Sequence, residues 1–188
     1  MIQCMEHKKI FLVGMPASGK STIGKLLAGQ LRLAFHDLDH LIAEREKKTI
    51  AEMFDQHGEP YFRELERDCL LEFLLKNTSY VLATGGGTPC FFDNMAIMNS
   101  YGTTVFLDVN IMDIHTKLAS KRTQKRPLLA GKSSAELEQE LLRKYEERKP
   151  FYNQSKICLS QRFGDSPGRT NEVLASIKML EKQGEGKN

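Results

Sequence analysis

Apolar residues along this chain gather into short runs separated by longer stretches of helical periodicity. Strand-like runs fall at 9–13, 33–37, 80–84, 103–108 and 156–160. Between them, apolar positions recur at three- and four-residue spacing over 20–31, 39–47, 49–54, 59–76, 93–100, 111–121 and 134–147. A tail at 171–182 repeats that spacing through Val173, Leu174, Ile177 and Leu180. Strands alternating with helices predict a parallel five-stranded sheet covered on both faces, a three-layer α/β/α fold. No linker divides the 188 residues, which read as one domain, 1–188, long enough to bury a substantial core. Two stretches exceed the simple alternation. Residues 39–76 hold three helical segments between the second and third strands, and 122–133 form a polar, basic segment broken by Pro127 and Gly131. By analogy with other α/β folds, such insertions serve as an acceptor-substrate platform and a closing lid.

Composition narrows the partners. Twenty-seven Lys and Arg against 24 Asp and Glu give a net charge of +3, and no basic block is interleaved with aromatics. No nucleic-acid partner is expected; small anionic ligands are the simpler account of scattered arginines. Cys4, Cys69, Cys90 and Cys158 lack C-x-x-C spacing, so neither zinc nor a redox pair is indicated, and free thiols suit a reducing cytosol. His7, His36, His40, His57 and His115 show no metal spacing. Glu6, His7, Lys8 and Lys9 around a short apolar stretch make no signal peptide, and no apolar run approaches the roughly 20 residues of a membrane span. The expectation is a soluble, cytoplasmic protein without membrane contact.

The chemistry starts at residues 14–21, Gly-Met-Pro-Ala-Ser-Gly-Lys-Ser, a complete G-x-x-x-x-G-K-[ST] loop between the first strand and the first helix. Glycines let the backbone curl so that N–H groups point at oxyanions, and the helix N-terminus adds partial positive charge. Gly14, Ala17, Ser18, Gly19, Lys20, Ser21 and Thr22 are thus the candidate ATP-binding set of a P-loop NTPase-type core. Lys20 is expected to reach the β and γ phosphates and the Ser21 hydroxyl to ligate Mg²⁺. A chance match is the competing account; the flanking strand and helix speak against it.

Other positions carry two readings each. Asp37 and Asp39 follow the second strand; alternation would place both carboxylates on one strand face at the ligand-binding end of a parallel sheet. There one carboxylate would help hold hydrated Mg²⁺ and the other orient a substrate hydroxyl; alternatively, Asp39 caps the next helix and Asp37 is solvated. Arg63 and Glu66 lie three apart on a helix, either as an exposed ion pair or with Glu66 holding Arg63 for bidentate capture of a carboxylate. Gly85, Gly86 and Gly87 end the third strand, as a permissive turn or to allow close approach of a ligand. The basic run 121–126 is a solvated loop or a cover for the triphosphate. Arg148, at a helix end before Pro150, either complements the helix dipole or binds an anion. The segment 90–94, Cys-Phe-Phe-Asp-Asn, has no pattern that assigns it a role.

In order along the chain, the phosphate loop, Asp-x-Asp, Gly-Glu-x-x-Phe-Arg, Gly-Gly-Gly, Arg-Pro-Leu-Leu and Arg-x-Pro-x-Tyr resemble the shikimate kinase family, from about residue 8 to about residue 180. The resemblance implies transfer of the γ-phosphoryl of ATP to the 3-hydroxyl of shikimate in aromatic amino-acid synthesis, by a monomer. It implies that Asp39 stands nearest the attacking oxygen, that Arg63 and Arg148 bind the shikimate carboxylate, and that Glu66 steadies Arg63. The Gly86 N–H would contact the substrate. Lys20 and Arg126 would stabilise the transferring group, Ser21 would ligate Mg²⁺ and Asp37 reach it through water. Arg122 and the turn containing Pro167 match positions that line the adenine. The loop's Met-Pro-Ala-Ser stands where many members have further glycine, and the lid is short. Two rivals share the fold: a gluconate-type sugar-acid kinase, and a non-catalytic nucleotide-binding regulator. The triple glycine with Gly-Glu-x-x-Phe-Arg speaks against the first, and retention of Lys20, Asp39, Arg63 and Arg126 against the second.

Overall fold

β1 (Lys9–Val13), β2 (Ala34–Asp37), β3 (Tyr80–Ala83), β4 (Thr103–Val109) and β5 (Ile157–Gln161) form one parallel sheet in the order β2-β3-β1-β4-β5. The structure, a computed structural model, describes residues 8–120, 134–161 and 165–185. Each predicted strand lies within a residue of an observed one.

The helices are α1 (Lys20–Leu31), α2 (Leu38–Glu46), α3 (Ile50–Lys76), α4 (Asn94–Tyr101), α5 (Ile111–Ser120), α6 (Ser134–Tyr152) and α7 (Ser166–Glu185). Successive strand side chains point to opposite faces, which makes two cores. Ile10, Leu12, Val81, Val105 and Leu107 pack with Ile23 and Leu27 of α1 and with Val173 and Ile177 of α7. Phe11, Val13, Leu82 and Phe106 face the other way, toward Leu38, Ile42, Leu70, Met98, Ile114 and Leu141 from α2 to α6. The sheet is therefore apolar on both sides, as covered parallel sheets are.

Three helix boundaries depart from the sequence reading. The segments 49–54 and 59–76 belong to one element, α3, bent at Gly58, whose φ of 76° and ψ of 176° break the helical path. Its start is fixed by a capping box in which Thr49 and Glu52 bond each other's backbone N–H. α6 was expected to end near 147 but runs through Pro150 to Tyr152. A proline this close to the end removes one late hydrogen bond, and Asn153 N–H closes the turn on the Lys149 carbonyl at 2.9 Å. The expected turn at 166–168 is instead the first turn of α7, where Pro167 has no N–H to waste.

Candidate active site

The phosphate loop leaves β1 at the C-terminal edge of the sheet and enters α1 through Gly19, in a left-handed conformation (φ 99°, ψ 8°) that favours glycine. No side chain caps α1, in contrast to α3. Its first N–H groups and its dipole are thus directed at the loop, the arrangement that binds phosphate. Within the loop the Lys20 ammonium, 8% exposed, donates to the Gly14 and Met15 carbonyls at 2.9 Å each. Ser18 is buried and Thr22 exposed at the helix start. Ser21 donates to the Asp37 carboxylate at 2.7 Å. That pair sets two hard oxygen atoms at the loop's entrance to α1, a donor set suited to Mg²⁺, which takes few protein ligands and keeps waters and phosphate oxygens. Among the described residues no group of three or more His, Cys, Asp or Glu could hold a metal.

Asp37 and Asp39 do not share a strand face. β2 stops at Asp37, which occupies the N-cap position of α2 without capping it, because its side chain serves Ser21 instead. Asp39 lies in the first turn of α2, so it is neither a strand residue nor the cap. It still reaches the triple glycine: a β-carbon on Gly85 would stand 2.8 Å from its Oδ1 and 2.7 Å from Glu66 Oε1. A β-carbon on Gly87 would lie 2.5–2.6 Å from Nη2, Cζ and Nη1 of Arg63. Near-equal distances to all three atoms put it over the guanidinium's face. Arg148 approaches from α6, with Nη1 3.1 Å from the same point on Gly86. Glycine is required here for close approach of side chains, so the permissive-turn reading is insufficient.

Arg63 is 7% exposed and Glu66 fully buried, which removes the exposed-pair reading. Glu66 accepts from Arg63 Nη1 at 2.8 Å and from Thr88 Oγ at 2.5 Å. Glu59, four residues before Arg63, accepts from Nε at 3.1 Å and Nη2 at 2.8 Å. The Phe91 ring centroid lies 4.3 Å from Cζ. Burial alone would lower the guanidinium's proton affinity; the Glu66 and Glu59 carboxylates outweigh it and raise the pKa. The segment 90–94, opaque in the sequence, is tied to α3 by the Arg67–Asp93 ion pair and so holds Phe91 against Arg63. Tyr152 donates to the Gly86 carbonyl at 2.5 Å, and burial pushes its phenol well above the usual range. Cys90 sits nearby with its thiol pushed up to about 11 by burial, against the pull of Arg148 and Arg63.

Sequence reasoning thus missed Glu59, Thr88, Phe91 and Tyr152. Of these, Glu59 had a local signal in its i,i+4 spacing to Arg63, and Tyr152 stood in the Arg-x-Pro-x-Tyr motif without an assigned role. Pro167 lies in the first turn of α7. Arg122, Arg126 and the expected lid lie outside the described residues.

The parallel sheet, the uncapped helix and the loop between them define a P-loop α/β kinase fold. The shikimate kinase family model matches residues 16–178. A shikimate kinase of Bacteroides fragilis is 47% identical over 93% of this chain and 94% of its own. The crystal structure of shikimate kinase from Bacteroides thetaiotaomicron superposes with a TM-score of 0.86 at 38% identity, covering 91% of this chain and 98% of that one. That of Acinetobacter baumannii shikimate kinase in complex with shikimate gives 0.82 at 30% identity, covering 92% and 94%. The chain belongs to the shikimate kinase family, and is an ATP-dependent kinase.

Proposed function

We propose that the chain transfers the γ-phosphoryl group of ATP to the 3-hydroxyl of shikimate, giving shikimate 3-phosphate and ADP. One observation carries this reading: Asp39, Arg63, Glu66 and Arg148 meet at Gly85–Gly87. Two guanidiniums suit a carboxylate, one aspartate suits a hydroxyl, and a small hydroxylated anion needs little more.

Arg63 and Arg148 bind the substrate carboxylate, with Glu66 fixing Arg63 and the Gly86 N–H contacting the ring. Asp39 accepts the hydrogen bond of the attacking hydroxyl and, as it reacts, its proton. On the donor side Lys20 exchanges the loop carbonyls for the β and γ phosphates, and the N–H groups of residues 17–22 cradle them. Ser21, with Asp37 through water, would hold Mg²⁺, which would neutralise charge on the phosphates when bound. Arg126 completes the charge stabilisation from the lid, while Arg122 and Pro167 line the adenine. Phosphoryl transfer asks mainly for positioning and electrostatics, which this set provides. The resemblance to the family favours a monomer, and the free thiols of Cys69, Cys90 and Cys158 suit a reducing cytoplasm. Among the described residues no helix is long and apolar enough to cross a membrane.

The test is ADP release from Mg-ATP with shikimate, gluconate or quinate as acceptor. Turnover that requires shikimate supports the reading. Turnover with gluconate alone assigns a sugar-acid kinase, and ATP binding without turnover assigns a regulator; either outcome overturns it.

A further inference from the structure

Two cations outside every motif grip the phosphate loop from separate helices. Arg169 of α7 donates from Nη2 to the Ser18 carbonyl at 3.0 Å, across 151 residues of sequence. Lys117 of α5 donates to the Ala17 carbonyl at 3.0 Å, across 100 residues. Arg169 is 6% exposed, and its Nη1 lies 3.4 Å from where a β-carbon on Gly19 would stand. With Lys20 on the Gly14 and Met15 carbonyls, four carbonyls of this short loop are turned toward positive charge.

The orientation of those carbonyls has a consequence for the donors. In a trans peptide the C=O and the following N–H point in opposite directions. Fixing the Ala17 carbonyl on Lys117 therefore fixes the Ser18 N–H, which closes the turn on the Met15 carbonyl at 3.2 Å. Fixing the Ser18 carbonyl on Arg169 turns the Gly19 N–H away from α7. Ala17 adopts a φ of 64°, unusual for a residue with a β-carbon, so the loop conformation needs support from outside itself. A guanidinium and an ammonium acting as donors also leave positive charge behind the loop, where it favours an anion in front.

We propose that Arg169 and Lys117 are positioning residues for the nucleotide: they hold the peptides 17–18 and 18–19 so that the Gly19 N–H is presented to a phosphate of ATP. The inference rests on the assignment of residues 14–22 to the triphosphate. Burial lowers the Arg169 pKa, with Glu172 opposing, and the guanidinium stays charged at any working pH.

Steady-state kinetics of the full chain with Mg-ATP and shikimate test it, using R169M, R169K, K117M and, as reference, K20M. R169M and K117M are expected to raise the KM for ATP about tenfold, the order of one hydrogen bond to a charged group, with the KM for shikimate changed less than about twofold. R169K, which keeps one donor, should fall between wild type and R169M. The Gly19 amide resonance should shift in R169K while those of Gly85–Gly87 stay in place, a readout that holds even if R169M does not fold. Equal changes in both KM values, an R169K no better than R169M, or an unmoved Gly19 resonance overturns the proposal. An ATP KM untouched in K20M would overturn the loop assignment itself, whereas loss in K20M with none in R169M refutes the positioning role alone.

Discussion

Replacing Glu66 by Gln changes one atom in the interior and isolates the electrostatic part of the site. The amide keeps the carboxylate's shape, so its oxygen still accepts from Arg63 Nη1, and its nitrogen turns to a Thr88 hydroxyl that must redirect its proton. What is lost is charge. Arg63, 7% exposed, retains Glu59 as a charged partner, and the Glu59 side chain is 51% exposed. Removing one partner of a buried pair outright costs about 3–5 kcal/mol. Here one hydrogen bond survives in neutral form, and the water-screened Glu59 contributes about 0–1 kcal/mol. A net loss of about 2–3 kcal/mol is expected, which at roughly 2–4 °C per kcal/mol for a domain of this size lowers Tm by about 5–10 °C. Arg63 also loses its fixed orientation, so the KM for shikimate should rise about tenfold while that for ATP stays put. Thermal melting and ADP-release kinetics on E66Q, with E59Q as the exposed control, give both numbers. An E66Q protein that melts within a degree of wild type and binds shikimate normally would refute the argument.

Asp39→Asn should retain ATP binding and lose turnover about a hundredfold or more, measured as ADP release; near-normal activity removes Asp39 from proton or hydroxyl handling. Arg148→Ala should weaken shikimate binding by about 2–5 kcal/mol, read by calorimetry; an effect on ATP instead would reverse the division of the site. Cys90 carries a pH signature. Its folded pKa is raised from 9.0 to about 11, so the neutral thiol's contribution is complete below pH 9 and lost as pH rises through 11. Wild type should therefore lose stability relative to C90A across that window, and Cys90 in the native protein should resist iodoacetamide at neutral pH.

Much of this site was legible because its signals are local. The phosphate loop is eight contiguous residues, and the Arg63–Glu66 and Arg63–Glu59 relations follow from helical spacing. Asp39 was misplaced because period-two reasoning carried β2 past its end. α2 begins at Leu38 with Asp37 at its N-cap position, and Asp37 spends its side chain on Ser21 and not on the helix. The first turn of α7 was read as a turn because Ser-Pro-Gly has the composition of one, although Pro suits a helix start equally well. Phe91, Tyr152, Lys117 and Arg169 act across gaps of 28 to 151 residues, which only the folded chain closes.

The pairing of β1 with β3 sets a length scale for the chemistry. Leu12 lies opposite Ala83, and the next residue, Thr84, bonds the Leu12 carbonyl through both its N–H, at 3.1 Å, and its hydroxyl, at 3.2 Å. The phosphate loop leaves one strand and the triple glycine leaves the other, level with each other. A slip of one residue would displace the strands by about 3.3 Å, close to the roughly 3–3.5 Å that separates reacting atoms poised for attack. The sheet thus serves as the ruler between phosphoryl donor and acceptor, and the doubly bonded Thr84 is the peg that keeps its zero.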